Sequence, residues 1–298
     1  MKHYIIQSGS GKPGEMGTEQ TEAKIIEKIG SKSLKIGFAP FHHLSHDHQN
    51  DWTIFQDIVK PLTTEALTLI EFHKETDMKA LREKILSFDL LVLGSGVCEP
   101  YFDFFIKNNL NDVFKEFFAL GKHFMGYSAG SIALGEKYIH TMFFREVFLH
   151  WNHVKDHMND DQLKELKDEM MADCPKKFKG ELDKALTRTT IDIEVHSLTP
   201  VPFQVVAMDA LNFVKNTSML PHFNEAMHAT TTHMLTAARD YPRIKHYGVP
   251  NGAALFHTYE DSALKSSEVV GSSRRPQLHV TEFVSDDQRT FLEDDRIV

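Results

Sequence analysis

His123-Phe124-Met125-Gly126-Tyr127-Ser128-Ala129-Gly130-Ser131-Ile132-Ala133-Leu134 reads as a strand, a tight turn and the start of a helix. The turn, residues 126–130, matches G-x-S-x-G, a pattern that carries meaning only in a strand–turn–helix setting. A serine on such a turn is held outward, while the flanking glycines let the backbone reverse and a substrate approach. The helix start adds positive potential, and the Ala129 N–H can face a developing oxyanion. The plainer alternative is a Gly/Ser-rich turn that merely begins a helix.

Outward from this segment, short apolar runs alternate with longer amphipathic ones. His3–Gln7, Leu34–Ala39, Leu67–Phe72 and Leu90–Gly94 read as strands. Thr18–Ile29, Trp52–Thr64, Asp77–Ser87 and Tyr101–Leu120 read as helices between them. Leu90-Leu91-Val92-Leu93 is apolar on consecutive positions, as a strand covered on both faces requires. The alternation predicts one mostly parallel sheet with helices on both sides, a three-layer α/β sandwich whose ligands sit at the carboxyl ends of the strands. Residues 137–187, dense in Lys, Asp and Glu from Lys155 to Lys184, interrupt the pattern. They read as a charged helical insertion within a single domain spanning 1–298. Strands are expected again at Thr189–Val195, Pro202–Val206, Leu211–Val214, Lys245–Val249, Ala253–Thr258, Val269–Gly271 and Leu278–Phe283. A helix is expected at Asn224–Arg239, and the polar tail Ser285–Val298 is expected to be loosely held.

Composition narrows the classes of function. At 41% hydrophobic and 25% charged residues, the chain is an ordinary globular one rather than a disordered one. It has 33 Lys+Arg against 42 Asp+Glu, a net charge of −9. An acidic chain without a basic block is a poor nucleic-acid binder and is not drawn to anionic membranes. No apolar run approaches the roughly 20 residues that span a bilayer. The opening residues run straight into a strand-like segment, without the apolar core and cleavage site of a signal peptide. With Cys98 and Cys174 as the only cysteines, a disulfide framework is not expected and a reducing cytoplasm is. Eighteen histidines stand out.

A nucleophilic serine needs a base and an oxyanion site. Leu93-Gly94-Ser95-Gly96-Val97 closes a strand on the same sheet edge as Ser128, which makes the Gly96 N–H a second candidate donor beside Ala129. His222, in Leu220-Pro221-His222-Phe223, lies at a strand's carboxyl end and before a helix; His196 and His228 compete with it as the base. Other signals are weaker. Ser8-Gly9-Ser10-Gly11-Lys12-Pro13 lacks the Gly-Lys-Ser/Thr of a phosphate loop, and Pro13 removes a cradling N–H, so it reads as the loop after the first strand. His42, His43, His46 and His48 with Asp47 have no fixed metal-ligand spacing and read as a polar loop. His150, His153 and His157 would share one helix face, as a metal site or a solvated helix would have them. Cys98 reads as a small buried side chain. No cofactor or metal is expected.

The Gly-Tyr-Ser-Ala-Gly-Ser turn, the earlier Gly-Ser-Gly turn, Asp209-Ala210-Leu211-Asn212 leading to Pro221-His222-Phe223, and Tyr247-Gly248-Val249-Pro250-Asn251-Gly252-Ala253-Ala254-Leu255 follow one another in order. In that combination the chain resembles the aspartyl dipeptidase (dipeptidase E) and cyanophycinase family of serine peptidases over roughly residues 1–135 and 188–272. The resemblance implies a flavodoxin-like fold akin to class I glutamine amidotransferases. It implies Ser128 as nucleophile, His222 as base, and Gly96 and Ala129 as oxyanion donors. The dipeptidases carry Glu where this chain has Asn251, so Asn251 is the expected third member, with Asp192 as the alternative and Glu194 behind it. An amide there can orient the imidazole but supplies no charge to an imidazolium.

The expected function is a cytoplasmic serine peptidase acting on a small peptide or amide, with a homo-oligomer left open. Two rivals remain. One is an α/β-hydrolase esterase using a late histidine near His279. The other is a non-catalytic scaffold whose 137–187 segment is the partner surface.

Overall fold

The computed structural model describes residues 2–10, 13–14, 19–30, 33–41, 48–96, 98–142, 159–173, 179, 183, 204–223, 228–271, 280–284, 287–291 and 295–297. The first five strands are β1 (Lys2–Ser8), β2 (Ile36–Phe41), β3 (Leu67–Leu69), β4 (Leu90–Gly96) and β5 (His123–Tyr127). Between and after them come α1 (Glu19–Ile29), α2 (His48–Val59), α3 (Met78–Ser87), α4 (Cys98–Lys107), α5 (Leu110–Ala119) and α6 (Ala129–Leu134). Then follow β6 (Lys137–Met142), α7 (Asp160–Asp173), β7 (Gln204–Asp209), β8 (Thr217–Pro221) and α8 (His228–Asp240). The chain continues through β9 (Lys245–Val249), β10 (Ala253–Glu260), β11 (Ala263–Gly271), β12 (Val280–Val284) and β13 (Asp287–Phe291).

The main sheet is seven-stranded, in the order β11-β10-β1-β5-β4-β2-β3. Its five strands from β1 to β3 are mutually parallel, and β10 and β11 add an antiparallel edge beside β1. The runs that are apolar at every position in sequence divide their side chains between two cores, as the period of two in a strand demands. Ile5, Leu91, Leu93 and Phe124 face one core with Leu81 and Ile85 of α3 and Phe114 and Phe117 of α5. Tyr4, Ile6, Leu90, Val92 and Met125 face the other with Ile25 and Ile26 of α1 and Trp52 and Phe55 of α2. This is the expected α/β sandwich: a mostly parallel mixed sheet between helices.

Several details differ from the expectation. A second, four-stranded sheet, β13-β12-β9-β8, is built from strands in the carboxyl-terminal third of the chain. The single helix expected over Tyr101–Leu120 is two, because Asn109 adopts a left-handed conformation (φ 56°) between α4 and α5. Leu211, Phe213 and Val214 are buried but form no strand. Their backbone N–H groups bond instead to the end of α6, Leu211 to Ala133 O and Val214 to Leu134 O. The charged 137–187 segment opens on a strand, β6, paired antiparallel with β7, and its described helix is α7. The tail is not loose throughout: β13 pairs with β12, and the backbone of Arg296 forms an isolated antiparallel β-bridge with Glu268. The strand expected at Thr189–Val195 lies outside the described residues.

Candidate active site

Three chain segments meet at the carboxyl ends of the parallel strands. Ser128 sits between β5 and α6 with φ 46° and ψ −111°, a conformation that side-chain-bearing residues rarely adopt. Strain of this kind costs roughly 1–3 kcal/mol and persists only where the surroundings enforce it. They enforce it by crowding. A Cβ on Gly126 would lie 2.4 Å from the carbonyl carbon of Gly130, and one on Gly130 would lie 2.1 Å from Leu93 O. The two glycines of the motif thus let α6 press against β5 and β4, and the serine between them is forced outward.

His222 follows β8 in the second sheet and also has a positive φ, 55°. Its Nε2 lies 3.1 Å from Ser128 Oγ. Its Nδ1 lies 2.8 Å from Asn251 Oδ1. An amide oxygen only accepts, so Nδ1 carries the proton and donates to Asn251. Nε2 is then the unprotonated nitrogen and accepts from the Ser128 hydroxyl. Asn251 lies in the turn from β9 to β10, where the chain passes from the second sheet back to the first. The seam between the two sheets therefore runs through the constellation.

Gly96, at the end of β4, has φ 138°, which suits glycine. The β4–β5 register pairs Leu93 with Gly126. Gly96 and Ala129 each stand three residues beyond that pair, so the two expected donors share one edge. Beneath them Tyr127 donates its hydroxyl to Glu22 at 2.9 Å, which ties β5 to α1. Burial, and then the Glu22 carboxylate, pushes the Tyr127 phenol well above its ordinary range, so it stays protonated. Ser95, in the glycine turn, reaches Asp51 of α2 at 3.4 Å.

Of the expected site residues, Ser128, His222 and Asn251 come together, with Gly96 and Ala129 beside them. Asp192, Glu194 and His196 lie outside the described residues, as do His42, His43, His46, Asp47, His150, His153, His157 and His279. His228 begins α8, six residues beyond His222. Among the described residues no group of three or more His, Cys, Asp or Glu is placed to hold a metal. Sequence reasoning passed over Gly9 and Ser10, whose carbonyls accept from His222 N (2.9 Å) and Ser128 N (3.0 Å). The available signal was their place at the carboxyl end of a parallel strand. It also passed over a buried chain of polar groups below α6. Ser267 Oγ donates to His257 Nδ1 (2.7 Å), His257 Nε2 donates to Gln7 Oε1 (3.1 Å), and Gln7 Nε2 donates to Ser131 O (2.7 Å).

Residues 4–155 match the family model described as Peptidase family S51. That span includes the Gly96 turn and Ser128 and ends before His222 and Asn251. No curated protein matches the chain. Among solved structures, the chain is similar to a peptidase from an acI-B1 Actinobacterium, with a TM-score of 0.58 and 13% identity over 99% of this chain and 96% of that one. It is also similar to a putative peptidase E protein from Listeria monocytogenes EGD-e, with a TM-score of 0.52 and 14% identity over 92% of this chain and 100% of that one. At these identities the two structures speak for the fold.

Proposed function

The chain belongs to peptidase family S51, and from that premise we propose that it hydrolyses a small peptide or amide through an acyl-enzyme on Ser128. The observation that carries this reading is the hydrogen-bonded series from Ser128 Oγ through His222 to Asn251, at 3.1 and 2.8 Å. Ser128 Oγ attacks the carbonyl carbon as His222 Nε2 takes its proton. The Gly96 and Ala129 N–H groups hold the oxyanion. Collapse breaks the C–N bond, and the imidazolium returns the proton to the leaving amine. Water, deprotonated by the same nitrogen, then releases the acyl group. Asn251 holds the imidazole in the tautomer that leaves Nε2 facing the serine.

The position of His222 argues against the esterase rival, which needs a later histidine beside Ser128. A non-catalytic scaffold has no use for a serine and an imidazole within hydrogen-bond reach on two strained residues. No described helix is long and apolar enough to cross a membrane. The scarcity of cysteine supports a cytoplasmic location. The test is hydrolysis of a dipeptide library together with labelling by a fluorophosphonate. Wild type is expected to do both and Ser128→Ala neither; labelling that survives the substitution would remove Ser128 as the nucleophile.

A further inference from the structure

We propose that the loop after β1, Gly9-Ser10, is a clamp that sets the distance between nucleophile and base, and that Ser10 is a positioning residue. The inference rests on the reading of Ser128 and His222 given above. Both residues hold positive φ angles, 46° and 55°. Both donate their backbone N–H to this one loop, Ser128 to Ser10 O at 3.0 Å and His222 to Gly9 O at 2.9 Å. Two strained residues on two different sheets are thus pinned to carbonyls of adjacent residues. Those carbonyls belong to successive peptide units, so covalent geometry bounds how far apart they can lie.

The third segment is tied to the same place. Gly252, next to Asn251, donates its N–H to Ser10 Oγ at 3.2 Å, and Gly9 N donates to Ala253 O at 2.9 Å. Ser10 N in turn donates to Ser8 Oγ at 3.2 Å, and Ser8 O accepts from Ser131 Oγ of α6 at 2.7 Å. The loop is therefore bonded to every segment of the constellation and to the helix behind it. Gly9 must be glycine for the approach to be this close. A Cβ there would lie 2.3 Å from both Pro250 O and Val249 O. A larger residue would drive the β9–β10 turn away from Ser128 and carry Asn251 with it. Ser10 is fully buried, and its hydroxyl is what the Gly252 N–H meets.

The experiment compares wild type with Ser10→Ala, Ser10→Thr and Gly9→Ala by crystal structure and by the concentration dependence of fluorophosphonate labelling. In Ser10→Ala the maximal labelling rate is expected to fall at least about tenfold, with the half-saturating concentration unchanged, since misplacement by about 1 Å can cost far more. Ser10→Thr, which keeps the hydroxyl, restores the rate. In Gly9→Ala the separation of Ser128 Oγ and His222 Nε2 opens beyond hydrogen-bond reach. A wild-type labelling rate in Ser10→Ala overturns the clamp, and so does a crystal structure of Ser10→Ala in which Asn251, Gly252 and His222 have not moved. If wild type itself is not labelled, the hydrolytic reading fails while the crystal structures still decide the clamp. If Gly9→Ala does not fold, the Ser10 pair decides it alone.

Discussion

Asn251 accepts the His222 Nδ1–H at 2.8 Å, which in the proposed mechanism is half of what a third catalytic member does. It fixes the tautomer; in that mechanism it offers no negative charge to the imidazolium formed as Ser128 gives up its proton. Asn251→Asp is accordingly expected to raise kcat with little change in KM, and Asn251→Ala to lower kcat by about tenfold or more. Steady-state kinetics on the best dipeptide measure both, and an unchanged kcat in the two variants would remove Asn251 from the proton transfer. At this scale Ser128 was legible as the proposed nucleophile because its motif came with the right flanks, whereas His222 stood among three candidate histidines until the resemblance singled it out. Asn251 was legible only through resemblance, since nothing in its composition or spacing marks it. Ser10 was legible only as part of the loop after a parallel strand, because the Gly252 N–H that meets its hydroxyl lies more than two hundred residues away in the chain.

Helix α6 is only six residues long, and its value lies in how closely it crosses the strands beneath it. Gly130→Ala tests that closeness. The added methyl would meet the backbone oxygen of Leu93 at 2.1 Å, and a sheet backbone cannot step aside as a side-chain tip can. The variant is expected to lose about 1–3 kcal/mol or more of stability in urea melts, and fluorophosphonate labelling with it, because Ser128 caps the displaced helix. Normal labelling at wild-type stability would mean that α6 has slack the geometry does not show. The elements themselves were legible where burial and pairing coincide, as in Leu90–Gly96, whose apolar run reflects a strand covered on both faces. They misled where the two part. Leu211, Phe213 and Val214 are buried without pairing along a sheet, and Asp287–Thr290 is polar because it pairs at the edge of one.

The whole molecule couples two sheets, and nothing local in the sequence announces the second. Strand β8 reaches its parallel neighbour β9 only across α8, and β12 reaches β9 only after β10 and β11 have joined the other sheet. Acid should act on the molecule through two histidines of the main sheet, His257 on β10 and His123 on β5. Burial holds the His257 imidazole down to about 3. Burial, and then the neighbouring His3, holds His123 down to about 4. Both are neutral when folded, whereas in the unfolded chain they take up protons near 6.5. The unfolded state therefore binds more protons between those limits. Stability is complete above about pH 6.5 and falls as the pH drops towards 4, by up to about 1.4 kcal/mol per pH unit for each histidine. Urea melts from pH 7 to 4.5 should show this slope, and His257→Gln should make it shallower; equal slopes in the two proteins would exclude the buried imidazole as its source.

The loop after β1 precedes in the chain every partner that it holds across the site, Ser128, His222 and Gly252. Strand β1 keeps an open edge until β10, which ends at Glu260, arrives to cover it. Ser128 consequently emerges from the ribosome well before its histidine, and both precede the strand that locks them together. Until β10 is made, the nascent polypeptide carries Ser128 without the turn that holds Asn251, and the proposed bond-cleaving ability waits for that strand to dock.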